Sequence, residues 1–240
     1  MKNVIYIVLL LFIFSCDDAF LDKGNIVTKT IEISEFNEIY IKNIFEIHLI
    51  QDTLCKIEAK GGSNLLPNLE FTVNEEHMLT IYDHNTANWS RDYDKIELFI
   101  SVDSLRFLQL NAPSKIISQN TLITPELKIL SITDFSEIDI DIKCGNFYIV
   151  NSEPSGGIIN LKGTTNSFTF WARGSLQVNA KNFEAKNVTV KSETIGNCYV
   201  NASQSLKVEI IRTGNIYYTG NPETIEFVNE NTENQLIKIN

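Results

Sequence analysis

The chain has 240 residues, of which 43% are hydrophobic and 21% charged, and this composition excludes a wholly disordered protein. Thirty acidic against twenty basic residues give a formal net charge of −10. Because no basic cluster is available to contact phosphates, we expect no binding to nucleic acid. The length allows one large domain or two small ones.

The first predicted element is an export signal in residues 1–15. Its apolar run, Val4 to Phe14, is shorter than the roughly 20 residues of a membrane-spanning helix and has the length of a signal-peptide core. Ser15 and Cys16 follow, and this junction resembles the lipobox of bacterial lipoproteins, in which Cys16 becomes the lipidated first residue. The alternative is a plain secretory signal in which Cys16 occurs by chance.

Residues 16–30 are predicted to form an acidic tether, because Asp17 and Asp18 directly follow the anchor. Acidic residues at this place resemble the surface-export signal of Bacteroidetes lipoproteins, although Asp17 also resembles an inner-membrane retention signal of enterobacteria. The prediction is a cell-envelope lipoprotein that is anchored in the outer membrane and exposed at the cell surface.

Three cysteines remain beyond Cys16, and an odd number cannot be fully paired. No Cys-x-x-C motif or Cys/His cluster offers a metal site, so we predict neither a metal nor another cofactor. Cys198 stands where neighbouring repeats carry Ile or Leu, which favours a small, buried, apolar side chain.

Residues 31–110 contain short segments in which apolar and polar side chains alternate, at 39–41, 45–49, 69–73, 79–81 and 96–102. A period of two with β-branched and aromatic residues predicts strands. An uncovered solenoid end would expose a hydrophobic edge that templates further strands, so we expect these strands to cap the coils that follow.

Residues 111–228 carry a repeat. A small turn residue precedes an apolar position by two places, and the apolar positions, Ile116 to Ile216, follow at intervals of 22, 20, 18, 22 and 18 residues. Each repeat holds a second short strand about ten residues later. Two strands in about 20 residues predict an all-β fold, a right-handed parallel β-helix or β-solenoid, with residues 31–240 as one domain. A barrel or sandwich is the alternative, but it requires no regular turn residue at this interval.

One coil is ambiguous by one residue, because Ile158 and Ile159 both compete for the inward position. We expect a β-bulge near Gly156 and Gly157 at this place.

The same register predicts an outward wall for ligand binding. If Ile138, Leu176, Cys198 and Ile216 face inward, the wall comprises Asp139, Gln177, Tyr199 and Tyr217, with Asp141, Asn179, Asn201 and Thr219 two places along. Amides, hydroxyls and aromatic faces suit neutral polar ligands such as glycans or peptide strands. Tyrosines one coil apart would stand about 5 Å from each other and could lie flat against a sugar. The alternative is a polar exterior that binds only water.

Six segments resemble a known family: 36–39, 45–51, 64–67, 77–81, 205–208 and 214–222. They are similar to the DUF2807 family, the putative auto-transporter adhesin head, GIN domain, and the resemblance covers roughly residues 31 to 225. It implies an exported β-helical protein of Bacteroidetes-like bacteria. No catalytic residues accompany the resemblance.

The predicted function is therefore that of a non-enzymatic surface adhesin or a glycan- or peptide-binding module. A structural envelope scaffold is one alternative. A lyase-like β-helix enzyme is another, because Asp139 and Asp141 project from the same face and could bind Ca²⁺ or share acid and base roles. A solvated polar face is the favoured alternative, because it requires nothing more than alternation.

Two short sequences, Asp52-Thr53-Leu54 and Asp103-Ser104-Leu105, resemble the sites at which Bacteroidetes O-glycosylate exported proteins. The hydroxyls of Thr53 and Ser104 are the predicted acceptors, although so short a pattern also occurs easily by chance.

Overall fold

The computed structural model describes residues 22–86, 95–152, 154–230 and 232–240. The predicted signal peptide 1–15 and Cys16 lie outside the described residues. Within these ranges the regular structure is β-strand apart from single 3₁₀ turns at Leu66–Asn68 and Glu233–Gln235. No helix in the described ranges is long and apolar enough to cross a membrane.

The strands of the described residues all join one sheet. Those of the first half are β1 (Ile26–Glu32), β2 (Glu38–Ile41), β3 (Glu46–Gln51), β4 (Lys56–Gly62), β5 (Leu69–Val73), β6 (Met78–Asp83), β7 (Glu97–Val102), β8 (Phe107–Leu110) and β9 (Lys115–Ser118). Those of the second half are β10 (Leu122–Ser131), β11 (Phe135–Asn151), β12 (Gly156–Gly174), β13 (Gln177–Thr194), β14 (Cys198–Ile210), β15 (Ile216–Thr219), β16 (Thr224–Phe227) and β17 (Leu236–Lys238).

The second half is a β-solenoid, as the repeat predicted. Strands β10 to β14 pair in parallel with their successors, β14 continues onto β15 and β16, and β15 pairs with β17. The solenoid has about six coils of about 20 residues. Stacking places like residues on like, and one inward row runs through Ile116, Ile138, Ile159, Val178, Cys198 and Ile216.

This inward row corrects the predicted register at two coils. Ile159 is 2% exposed and Ile158 is 41% exposed, so Ile159 faces the core. Val178, not Leu176, is paired with Cys198, although Leu176 is also buried. The register is continuous at Gly156 and Gly157, so the bulge predicted there is wrong. The irregularity comes after Asn160, where β13 has one residue more than β12.

A phenylalanine cluster fills the middle coils. The Phe168 ring centroid lies 5.6 Å from that of Phe147, 4.9 Å from that of Phe170 and 5.4 Å from that of Phe183. All four rings are essentially buried. Within β12, the corner of the coil depends on Gly163. Its φ of +107° would strain any other residue, and a β-carbon at this position would collide with the carbonyl oxygen of Ile142.

The first half stacks on the solenoid in an order that differs from the order along the chain. Strands β2 and β3 are sandwiched between two coils: β6 and β7 pair with them on one side, and β8 and β9 on the other. All these pairs are parallel. In chain order, β2 and β3 therefore form the second coil of the stack, and β6 and β7 form the outermost coil. β8 and β9 form the third coil, from which the solenoid continues.

Antiparallel strands finish this N-terminal end. β5 pairs with β6, β4 with β7, and β1 with β4. Strand β1 begins at Ile26, so residues 26–30 are strand and not the tether predicted for 16–30.

Lys29 occupies the inward position of the last strand at this end. It is paired with Ala59, and the inward row continues from Ala59 through Leu98 and Ile47 to Ile116. An inward-pointing charge on an edge strand disfavours the addition of another strand. Among the described residues β1 pairs only with β4, and we expect Lys29 to disfavour the pairing of its other edge with another chain.

Candidate functional site

One outward row crosses nine strands on a single face of the stack. We call it the outer ladder, and it consists in spatial order of Phe99, His48, Ile117, Asp139, Asn160, Asn179, Tyr199, Tyr217 and Ile237. Each member alternates with inward neighbours on its strand. Because neighbouring strands of the ladder are hydrogen-bonded to each other, the spacing of the side chains is fixed by the backbone.

The tyrosine pair of the ladder is stacked. The ring centroids of Tyr199 and Tyr217 lie 4.9 Å apart with 14° between the ring planes, which confirms the predicted spacing. Each ring turns one face to the other, and the Tyr217 hydroxyl accepts a hydrogen bond from Nδ2 of Asn215 at 3.4 Å. Stacking covers one face of each ring, so a single sugar does not lie flat against both rings together.

Asparagines continue the ladder beside the tyrosines. Asn179 is paired with Tyr199, and its Nδ2 donates to Oδ1 of Asn160 at 3.3 Å. Asn201 and Thr219 are also paired with each other, but Nδ2 of Asn201 donates to the Lys181 carbonyl at 3.3 Å, and the Thr219 hydroxyl donates to a backbone carbonyl at 3.4 Å. The latter two side chains thus stabilise the turn of the coil.

Three wall residues do not lie in the rows predicted for them. Asn179, predicted in the second row, stacks on Tyr199 in the first. Gln177 is paired with Ile158 and lies two positions from Asn179, so it does not stack on Tyr199. Asp141 is paired with Lys162, not with Asn179. The physical reason is the unequal length of the corners: the inward residue Val178 lies four positions after Gly174, whereas its partner Cys198 lies two positions after Gly196. The turn residues alone do not show this difference.

A shallow groove of about 220 Å³ lies in the middle of the ladder. Its lining includes Ile117, Ile158, Asp139, Asn160 and Lys115. Neither Ile117 nor Asn160 belongs to the wall predicted from the sequence. Alternation along β9 and β12 could have identified both residues as outward. It did not do so in β12, because the sequence left open whether Ile158 or Ile159 faces inward.

His48 and Phe99 extend the ladder to the N-terminal coils, and the sequence analysis assigned them no role. Their rings are stacked with centroids 4.5 Å apart. Nδ1 of His48 lies 2.7 Å from the Gln119 amide, and Nε2 lies 3.5 Å from the carboxylate of Glu46. The only sequence signal for these positions was their outward place in alternating strands.

The predicted glycosylation residues stand at equivalent corners of neighbouring coils. Thr53 and Ser104 follow the paired residues Gln51 and Val102, and both line one cavity of about 310 Å³. Ser104 is half-buried, and its hydroxyl donates to the Thr124 hydroxyl at 3.2 Å. Thr53 is exposed, so it is the more accessible acceptor, and modification of either residue remains a prediction.

Metal-ligating side chains do not cluster in the described ranges. No set of three or more His, Cys, Asp or Glu side chains there could hold a metal ion. Cys55, Cys144 and Cys198 are unpaired. Burial raises the pKa of the Cys198 thiol to about 12, so this side chain stays protonated and acts as the small apolar core residue that the repeat predicted.

The fold and its outer ladder define a β-solenoid protein with an open, rigid outer face. The sequence profile of the DUF2807 family, described as "Putative auto-transporter adhesin, head GIN domain", matches residues 35–222. The chain belongs to this family, and membership indicates an adhesin-like protein of the cell surface or envelope. No curated protein matches the chain significantly.

Solved structures share the fold at low sequence identity. A putative adhesin from Bacteroides fragilis is 19% identical with a TM-score of 0.76, covering 90% of this chain and 94% of that one. A putative adhesin from Parabacteroides distasonis is 18% identical with a TM-score of 0.65, covering 90% and 95%. A putative lipid binding protein from the same species is 19% identical with a TM-score of 0.62, covering 90% and 98%.

Proposed function

We propose that this protein is a lipid-anchored, non-enzymatic binding protein of the outer membrane, exposed at the cell surface, and that its outer ladder binds neutral glycans. The observation that carries the proposal is the stacked pair Tyr199 and Tyr217, set in register with Asn179 and Asn160 on a rigid sheet. Phenol hydroxyls and amides offer donors and acceptors to sugar hydroxyls without a net charge.

Rigidity is the physical advantage of this surface. Its side chains are held by the backbone ladder and by contacts with each other, so little conformational entropy is lost when a ligand binds. The groove between Ile117 and Ile158 adds apolar contact next to Asp139 and Asn160. An extended polymer that runs across the strands would contact the groove, the asparagines and the tyrosines together.

The experiment is a binding screen of the intact chain on an array of neutral and acidic glycans, extended peptides and matrix proteins. Retention by neutral glycans supports the proposal. Retention by peptides alone would assign the ladder to a different ligand class, and absence of any ligand would favour the structural scaffold. Assays for unsaturated products from acidic polysaccharides with Ca²⁺ test the lyase alternative in the same samples.

The proposed lipid anchor at Cys16 can be tested separately. Cys16→Ala should release the protein from membranes, because the acyl chains that hold a lipoprotein are attached to that cysteine. Fractionation of the expressing cells, followed by a carbonate wash, measures the release. A variant that stays in the membrane pellet would show that the anchor is not at Cys16.

Lipid binding is a second candidate function, and a cavity at the N-terminal end favours it. The cavity measures about 530 Å³, within the usual range for small-molecule sites, and its lining includes Ile31, Leu69 and Phe71. The similar fold of a putative lipid binding protein agrees with this candidate. Cys16 lies six residues before Asp22, a span of at most about 20 Å, so anchoring would hold this end near the membrane.

A further inference from the structure

Among the described residues, the cavity at the N-terminal end is an open continuation of the hydrophobic core. It lies between the antiparallel strands β1 and β4 on one side and β5 on the other, and Leu66 and Pro67 of the 3₁₀ turn contribute to its lining. Ile31, Leu69 and Phe71 pack against the core but stay partly exposed. An occupant of this space would bury apolar surface that the described residues leave in contact with water.

Lys29 supplies a positive charge to this lining of mixed apolar and polar side chains. The side chain is exposed, shares the inward side of β1 with Ile31, and has no ion-pair or hydrogen-bond partner among the described residues. The other ionisable side chains of the lining, Glu70 and His84, are joined to each other at 2.6 Å. Lys29 is therefore the charged group of the cavity that remains available to a ligand.

We propose that the cavity binds a long-chain fatty acid, with the carboxylate on Lys29 and the hydrocarbon chain between Ile31 and Phe71. This inference rests on the second candidate function and names its ligand class. An unpaired ammonium next to apolar side chains complements a carboxylate attached to a hydrocarbon chain. A neutral lipid would leave the ammonium without a partner in a partly desolvated place, which costs binding free energy.

The experiment measures displacement of the fluorescent fatty acid cis-parinaric acid from the intact chain by oleate and by oleyl alcohol. These two competitors share the hydrocarbon chain and differ in headgroup charge. We expect oleate to bind at least tenfold more tightly than oleyl alcohol. In Lys29→Gln the affinity for oleate should fall about tenfold while that for oleyl alcohol stays unchanged, and Lys29→Arg should restore oleate binding.

Lys128→Gln is the matched control, because Lys128 is an exposed lysine on another part of the stack, above the ring of Phe107. Its oleate affinity should equal that of the wild type. Sedimentation of each variant measures its oligomeric state. It therefore distinguishes a loss of lipid binding from association of protein chains through the edge of β1. Phe71→Ser should weaken both competitors, since it removes contact with the chain and not with the headgroup.

The outcomes separate the inference from the function on which it rests. Equal affinities for oleate and oleyl alcohol, unchanged in Lys29→Gln, would overturn the fatty-acid assignment and leave lipid binding in place. Failure of all three lipids to bind would overturn both.

Discussion

Phe168→Ala is expected to lower the free energy of unfolding by about 3–5 kcal/mol, the usual cost of deleting a buried aromatic ring. Phe168 is 1% exposed and contacts the rings of Phe147, Phe170 and Phe183. Stacked coils allow little collapse around the resulting cavity, because the neighbouring rings belong to the hydrogen-bonded strands β11, β12 and β13. Urea unfolding with linear extrapolation measures the change.

Thr169→Ala is the control on the same strand, because Thr169 faces outward between Tyr148 and Thr189. Its free energy of unfolding should change by no more than about 0.5 kcal/mol. A loss below about 1 kcal/mol for Phe168→Ala would mean that the aromatic cluster is not a principal source of stability.

A fragment of residues 111–240 is expected to aggregate. It lacks β1 to β8, so it exposes the edge of β10 and the buried side chains that those strands cover, including Leu127 and Ile129. Exposed strand edges beside apolar rows template association. The comparison is with the chain 22–240, which keeps the antiparallel strands and Lys29 at its N-terminal end.

Light scattering and thermal unfolding of both chains decide this prediction. We expect the longer chain to be soluble and to unfold in one transition. A fragment that is monomeric and unfolds cooperatively would show that the two halves are independent domains, against the proposed single domain of residues 31–240.

Periodicity predicted those parts of the fold that depend on local alternation. Cys198 and Ile216 are inward, and Tyr199 and Tyr217 are outward and adjacent, because period two decides the side of the sheet within each strand. The register between coils depends on corner lengths, which differ from coil to coil. Gln177 was therefore placed on the correct face but in the wrong row.

The arrangement of the N-terminal half could not be predicted from alternation. Strand β2 pairs in parallel with both β6 and β8, and nothing local distinguishes a strand that will lie between two coils from one that will lie at the end. The cavity beside Lys29 could not be predicted either, because local alternation does not show which strands pair. Lys29 and Phe71 are 42 positions apart and meet only through the antiparallel strands.

The orientation of the tyrosine rings also could not be predicted from the sequence. Spacing set by the ladder brings Tyr199 and Tyr217 together, but whether rings lie flat or stack depends on side-chain rotamers and on the neighbours above and below. Stacking contributes about 0.5–1.5 kcal/mol beyond burial. Removal of both rings is therefore expected to cost about 1 kcal/mol of stability and not to unfold the solenoid.

The most direct test of the proposed function is the affinity of Tyr199→Ser/Tyr217→Ser for a neutral glycan that the intact chain retains. We expect at least a tenfold loss, with nearly unchanged thermal unfolding. Tyr148→Ser, which alters an outward tyrosine in a different row, should bind as the wild type does. Wild-type affinity in the double variant would contradict the claim that the outer ladder is the ligand-binding surface.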